Sequence, residues 1–349
     1  MQNKQIKSYT ALDVGKFLCA LLILFYHYFS ERDSAPALLE EALSLYAVAV
    51  ALFMAISGFL TFSKLEGMEE RADRWNYVKK QVKRIFQIYL LWSIPYLIFT
   101  ICRWDFATLT PEFVFWKVQG WIFHTTFSTI WFLPALAIGL LVAFFVTEKF
   151  SSKTAVTLAV LMYILSSLTG TYKFAGNEIL GMESFAAFSK LWLGGNRGGL
   201  LFGFPLIMLG RFAAQKKFEI QWKCWALLTV IATGALLAEA LTLRYFAGNT
   251  GIDQTVMMIP IVFCALQFLL TFSLPSGSYA VYMRKMSVLI FVTQRIFLTV
   301  IPALLSEEMK QMLFSNIWIG AVLLCGGTFA FSSLIIALSN RILWLKKLY

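Results

Sequence analysis

Charge is scarce in this 349-residue chain. Asp, Glu, Lys and Arg together make up only 14% of it, where soluble globular domains carry about 25%. Hydrophobic residues reach 59%, and mean hydropathy is +0.71. That is too little polar surface to cover a water-facing sphere. A soluble globule, a disordered chain and a nucleic-acid partner are therefore excluded. Acidic residues are scarcer still, nineteen against thirty Lys and Arg, for a net charge of +11. In so apolar a chain that excess reads first as positive-inside asymmetry. Histidine is rarest: only His27 and His124. With no acidic or cysteine cluster among them, no metal site is expected. The five cysteines (Cys19, Cys102, Cys224, Cys264 and Cys325) stand alone, so neither a disulfide framework nor a redox pair is implied. There is no internal repeat, no low-complexity tract and no soluble stretch longer than a loop. Residues 1–349 are expected to form a single transmembrane domain.

What is present is a series of long apolar runs. A helical span needs about 20 predominantly apolar residues. Ten runs qualify, near 11–30, 44–63, 84–102, 130–147, 154–170, 199–213, 223–246, 255–273, 286–305 and 313–339. The expected fold is an all-α, polytopic transmembrane bundle of about ten helices in the cell membrane. With the N-terminus placed inside, twenty Lys and Arg fall in inner segments and eight in outer ones. Both termini are then expected to be cytoplasmic. Lys4 and Lys7 before the first run, and Ala35-Pro36-Ala37 after it, imitate a cleaved signal peptide. That run carries Asp13, Lys16 and His27 and is long enough to span, so it reads as an uncleaved helix. The aromatic stretch 113–127 reads as a re-entrant or interfacial helix.

Ionisable groups within spans are costly and normally face a cavity or a partner. Asp13 and Lys16 are three residues apart and share a face. Lys16 and His27 are eleven apart, about three turns plus ~20°, so they point the same way ~16 Å apart along the axis. His27 can exchange a proton near neutral pH. His124 has no aligned charge. Arg295, beside Gln294, needs a partner. Glu239 is a candidate, and a structural ion pair competes with a ligand contact. Lys80, Lys83 and Arg84 cluster before the third run. They serve either as positive-inside anchors or as a phosphate-binding mouth.

Several separated segments follow one pattern. The first run reads Leu12-Asp13-Val14-Gly15-Lys16-Phe17 and then His27-Tyr28. The second contains Phe53-Met54-Ala55-Ile56-Ser57-Gly58-Phe59. The third opens Lys83-Arg84-Ile85-Phe86-Gln87-Ile88-Tyr89, and the fourth Ile130-Trp131-Phe132-Leu133. Later come Asn196-Arg197-Gly198-Gly199-Leu200, Gly203-Phe204-Pro205, and Met286-Ser287 with Ile290-Phe291 and Gln294. In order and spacing the chain resembles the acyltransferase-3 family of integral membrane O-acyltransferases over nearly its whole length. Three positions depart from that pattern. Lys16 stands where the family usually has Arg. Lys80 and Gln81 stand where paired arginines are common. Gln294 stands where many members show a second His.

The resemblance implies an enzyme that moves an acyl group from cytosolic acyl-CoA, usually acetyl-CoA, to a hydroxyl. The acceptor would be a carbohydrate or lipid-linked glycan of the cell envelope, as in polysaccharide O-acetylation. It implies His27 as general base with Lys16 on the same face, and the nucleotide held by Lys80, Lys83 and Arg84. Ser57, Trp131 and Arg197 are candidate oxyanion donors, and Gln294 and Arg295 candidate substrate contacts. Membrane lipids would surround the chain, and self-association stays open. The alternative is a small-molecule transporter or flippase on the same bundle, since membrane domains of this kind occur where amino-acid transport is inferred. No inverted repeat or paired broken helices support that reading. A receptor or purely structural membrane protein is a third.

Overall fold

The computed structural model describes residues 9–31, 39, 45–107, 109–248 and 251–349. Lys4, Lys7 and the Ala35-Pro36-Ala37 triplet lie outside them. Among the described residues every regular element is helical. We label the helices α1 (Thr10–Phe29), α2 (Tyr46–Leu65), α3 (Arg71–Cys102), α4 (Pro111–Phe123), α5 (Ser128–Lys149), α6 (Ser152–Thr169) and α7 (Glu183–Trp192). There follow α8 (Gly199–Gln215), α9 (Trp222–Ala247), α10 (Met258–Thr271), α11 (Ser278–Leu304), α12 (Glu307–Phe314) and α13 (Ile317–Leu338). Eight of these are long and apolar enough to cross a membrane, and α8 and α10 are shorter apolar helices. Together the ten coincide with the ten apolar runs, and the chain is an all-helical transmembrane bundle. The stretch 113–127 contributes the separate helix α4. Its Gln119 side chain donates to the Leu191 carbonyl, next to the end of α7.

One boundary differs from its expectation in a way that matters. The apolar run begins at 84, but α3 begins at Arg71 and spans 32 residues. At 1.5 Å per residue that is ~48 Å, against ~30 Å for the hydrocarbon core. Its first turns therefore project beyond the apolar slab. Lys80 and Lys83 lie on the part of this helix that precedes the apolar run, and Arg84 lies at the start of that run.

The bundle is built round α2, whose Ala51, Met54, Ala55 and Ile56 are fully enclosed. Water-driven burial does not bring helices together inside lipid, so close van der Waals fit must do so, and small residues permit it. Gly58 packs directly on α8: a Cβ there would stand 2.8 Å from Ile207 Cα. Reciprocally, a Cβ at Gly210 would stand 2.6 Å from the Phe59 nitrogen. The α2 and α8 backbones touch at both positions, and neither tolerates a side chain.

Helix α1 lies against α11. Tyr28 is fully buried and donates to the Ile317 carbonyl of α13 at 2.6 Å, which fixes the rotation of α1 one residue past His27. Tyr96 of α3 donates to the Val292 carbonyl of α11 at 2.5 Å. Just past Arg295 the α11 backbone loosens into a π-helical turn, Ile296–Val300. A second π-helical turn, Gly199–Gly203, opens α8 two residues after Arg197. Such turns widen the local backbone and recur at functional sites.

Candidate functional site

Helices α1 and α11 carry the same ladder of side chains. On α1, Lys16, Ile23 and His27 follow at intervals of seven and four residues. On α11, Arg284, Phe291 and Arg295 follow at the same intervals. Both intervals return to nearly the same side of a helix. The first rung joins the two cations through Asp13: Lys16 Nζ lies 3.8 Å and Arg284 Nε 3.7 Å from Asp13 Oδ1. The second rung is direct, with Arg295 Nη2 3.0 Å from His27 Nδ1. Guanidinium nitrogens only donate, so Nδ1 accepts and the ring proton sits on Nε2. Arg295 also pairs with Glu31 through Nη1. Its own Nε is buried without a protein partner.

This settles one open pairing. Arg295 meets His27 and Glu31, not Glu239. The Glu239 carboxylate instead accepts from Tyr172 and from the backbone nitrogens of Val256 (2.7 Å) and Met257 (2.8 Å) at the start of α10. It caps a helix, where a negative group is favoured. Burial, followed by the hydrogen bond to Glu239 and then its charge, raises the Tyr172 pKa above the ordinary phenol value, so Tyr172 is the donor in that contact.

Three cavities run in sequence through the bundle. A basic cavity of about 360 Å³ has Lys16, Tyr77, Gln81, Arg84 and Arg284 among its lining residues. A central cavity of about 200 Å³ holds His27, Arg295, Arg197, Trp131 and Tyr46. Ile23, Val50, Phe132 and Phe291 line both, forming an apolar collar between them. All four are buried, and the two phenylalanines meet edge-on with ring centroids 5.3 Å apart. Beyond lies a vestibule of about 510 Å³ that shares Ser128, Trp131 and Arg197 with the central cavity. His124, Lys190 and the glycines 194, 195, 198 and 199 line its walls. Gly194 and Gly195 have positive φ (80° and 72°), the left-handed conformation that suits glycine.

Arg197 is held between two groups. Its guanidinium pairs with Asp253 and sits 5.8 Å from the Trp131 ring centre, within cation–π range. Burial alone would lower its pKa, but the Asp253 carboxylate reverses that and holds it above the usual arginine value. Tyr46 stacks on Tyr26 with ring centroids 3.6 Å apart, and its hydroxyl lies 3.4 Å from Asp253 Oδ1.

The expected site residues thus separate. His27, Arg295, Trp131 and Arg197 converge on the central cavity. Lys16 and Arg84 line the basic cavity. Lys80 and Lys83 are exposed and do not line it; Tyr77, Gln81, Arg84, Ile85 and Ile88 are the α3 residues facing it, at intervals of four, three, one and three. Ser57 lines the basic cavity two turns from Val50, and its hydroxyl donates to the Phe53 carbonyl at 2.8 Å. Gln294 is fully buried, donates to the Phe291 carbonyl at 3.0 Å, and lines none of the three cavities. Arg284, Glu31, Tyr46 and Asp253 join the site unforeseen. Two of them carried a sequence signal: Arg284 precedes Arg295 by the same eleven residues that separate Lys16 from His27, and Glu31 follows His27 by four. Among the described residues no cluster of three metal-ligating side chains exists.

The fold and site define a membrane-embedded helical protein with a His–Arg pair in a cavity flanked by two others. A family model for an acyltransferase domain matches residues 9–337, and the chain belongs to this family, acyltransferase-3. It is also similar to an amino-acid racemase of Enterococcus faecalis, at 23% identity over 76% of this chain and 36% of that one. A serine/alanine racemase of Enterococcus gallinarum is 25% identical over 75% of this chain and 36% of its own length. The chain thus spans about 36% of the curated relatives it matches. No solved structure matches it.

Proposed function

We propose that this chain is a multi-pass enzyme of the cell membrane, working as one domain, that transfers an acyl group from cytosolic acyl-CoA to a hydroxyl. The acceptor is a carbohydrate or lipid-linked glycan arriving from the outer side, and the donor is acetyl-CoA. One observation carries this: the basic cavity and the His27 cavity share a four-residue collar, so a thioester can reach His27 from one side and a hydroxyl from the other. The positive-inside bias puts the basic mouth and both termini in the cytoplasm. There Arg84 and Arg284, with Lys16, suit the phosphates of a nucleotide. The axial rise from Lys16 to His27 is ~16 Å, to be bridged by the flexible arm of the donor.

In the reaction the acceptor hydroxyl displaces Arg295 from His27 Nδ1 and gives that nitrogen its proton as its oxygen attacks the thioester carbonyl. The freed guanidinium, with the unpartnered Nε of Arg295 and with Arg197, faces the oxyanion. Collapse of the tetrahedral adduct breaks the carbon–sulfur bond, and the imidazolium returns the proton to the departing thiolate. General-base catalysis contributes about 10²–10⁴-fold, and each oxyanion donor about 10²–10³-fold. The test is a His27→Ala variant in membranes with radiolabelled acetyl-CoA. Label transfer should fall at least about 100-fold while acetyl-CoA still binds. Transfer at the wild-type rate removes His27 from the mechanism.

The racemase names of the relatives favour a second reading, a carrier for small amino acids through the same three cavities. Uptake of serine or alanine into proteoliposomes without acyl-CoA would establish it.

A further inference from the structure

We infer that the collar of Ile23, Val50, Phe132 and Phe291 sets the acyl length, and that it restricts this protein to short acyl groups. The inference rests on the acyl-transfer reading above. In a donor threaded from the basic cavity, the acyl end leads and the sulfur follows. The acyl group must therefore cross the collar and occupy the central cavity, with the sulfur just inside it. On α1 the collar residue Ile23 stands seven residues, ~10 Å, past Lys16 and four residues, ~6 Å, before His27. On α11 Phe291 divides Arg284 from Arg295 in the same proportion. The thioester carbonyl can approach His27 only if everything beyond it fits in the central cavity.

That cavity is small. Its volume is about 200 Å³, and an apolar cavity of about 150 Å³ admits a six-carbon ring. By the same scale it holds about eight heavy atoms. An acetyl thioester and the attacking hydroxymethyl group account for six: methyl carbon, carbonyl carbon and oxygen, sulfur, hydroxyl oxygen and its carbon. About two more methylenes would fill it. The remaining wall is largely polar and so poorly suited to alkyl chains: His27, Arg295, Arg197, Ser128 and Thr129, with Tyr46 and Trp131. A longer chain would have to press against guanidinium groups, turn back through the collar, or extend past Ser128, Trp131 and Arg197 into the vestibule, the path the acceptor hydroxyl must take; the buried ring of Phe291 against Phe132 closes the return. Each misfit methylene in such a pocket costs about 1–3 kcal/mol, a factor of about 10–200.

The experiment compares the full chain in lipid nanodiscs with Phe291→Ala, Ile23→Ala and Val50→Leu. The donors are acetyl-, butyryl-, hexanoyl- and octanoyl-CoA, water is the acceptor, and release of free CoA thiol is the readout. Binding of each donor is measured in parallel by competition. Wild-type protein should release thiol from acetyl-CoA at least about 10-fold faster than from hexanoyl-CoA, with similar affinity for both, because the nucleotide end makes the same contacts. Phe291→Ala should raise the hexanoyl-to-acetyl ratio about 10-fold or more. Ile23→Ala should do so independently from the other helix, and Val50→Leu should suppress butyryl turnover most. A wild-type rate independent of chain length, or ratios unmoved in both enlarged variants, overturns the collar assignment and leaves acyl transfer standing. Release of thiol from no donor overturns both.

Discussion

Replacing Arg295 with methionine should uncouple stability from activity. The substitution keeps an unbranched side chain on α11 and removes every hydrogen bond the guanidinium makes. Breaking a buried ion pair normally costs about 3–5 kcal/mol, because an uncompensated charge stays behind. Here the charge left behind is Glu31, whose side chain is 43% exposed while that of Arg295 is 9% exposed. Glu31 can turn to water, so that penalty is largely absent. Removing a desolvated guanidinium offsets part of the remaining loss. The net change in stability should stay within about 1–2 kcal/mol. Activity has no such compensation. Nδ1 of His27 loses the donor that holds it, the ring becomes free to turn, and the oxyanion loses a cation. A loss of about 10²-fold or more in transfer follows from the oxyanion contribution alone. The assay pairs thermal unfolding in detergent with the rate of acetyl transfer on the same preparation. A variant that unfolds like wild type and transfers at the wild-type rate refutes the pairing of Arg295 with the chemistry. A variant too unstable to purify refutes the argument that Glu31 can be rehydrated.

Other consequences are simpler to check. Arg84→Ala and Arg284→Ala should each weaken acetyl-CoA binding by about 5–10-fold, as partly exposed charge contacts do, and added salt should shrink the difference. Lys80→Ala and Lys83→Ala, exposed and outside the cavity lining, should leave that affinity unchanged in the same titration. Gly58→Ala should cost about 1–3 kcal/mol by overpacking the α2–α8 contact, read as a lowered unfolding midpoint.

Much of the fold is legible in hydropathy because lipid leaves a helix as the main way to satisfy the backbone of an isolated span. Ten apolar runs therefore became ten helices. Hydropathy registers only the apolar, membrane-embedded stretch of a helix, so the extension of α3 back to Arg71 was hidden, and with it which of Lys80, Lys83 and Arg84 reaches the basic cavity. The Lys16–His27 alignment was legible from helical geometry within one element. The partner of Arg295 was not, because Glu239 and Glu31 lie on different elements and their distances to it depend on tertiary packing. Glu31 carried a local hint, four residues past His27. The Arg284–Arg295 interval carried another, which gains meaning once α11 is known to lie beside α1. Asp253 sits in a polar loop with no periodicity to mark it, and only the fold brings it to Arg197.

If the proposal holds, one passage joins the basic mouth to His27. An experimental structure of the full chain with bound CoA tests it most directly. Density is expected for the phosphates between Arg84 and Arg284, and for the pantetheine arm along Ser57 and Leu136 of the basic cavity. The thiol should lie at the collar of Ile23, Val50, Phe132 and Phe291, on the side facing His27. A nucleotide seated in the vestibule beside Lys190, or an arm that leaves the bundle without reaching the collar, contradicts it.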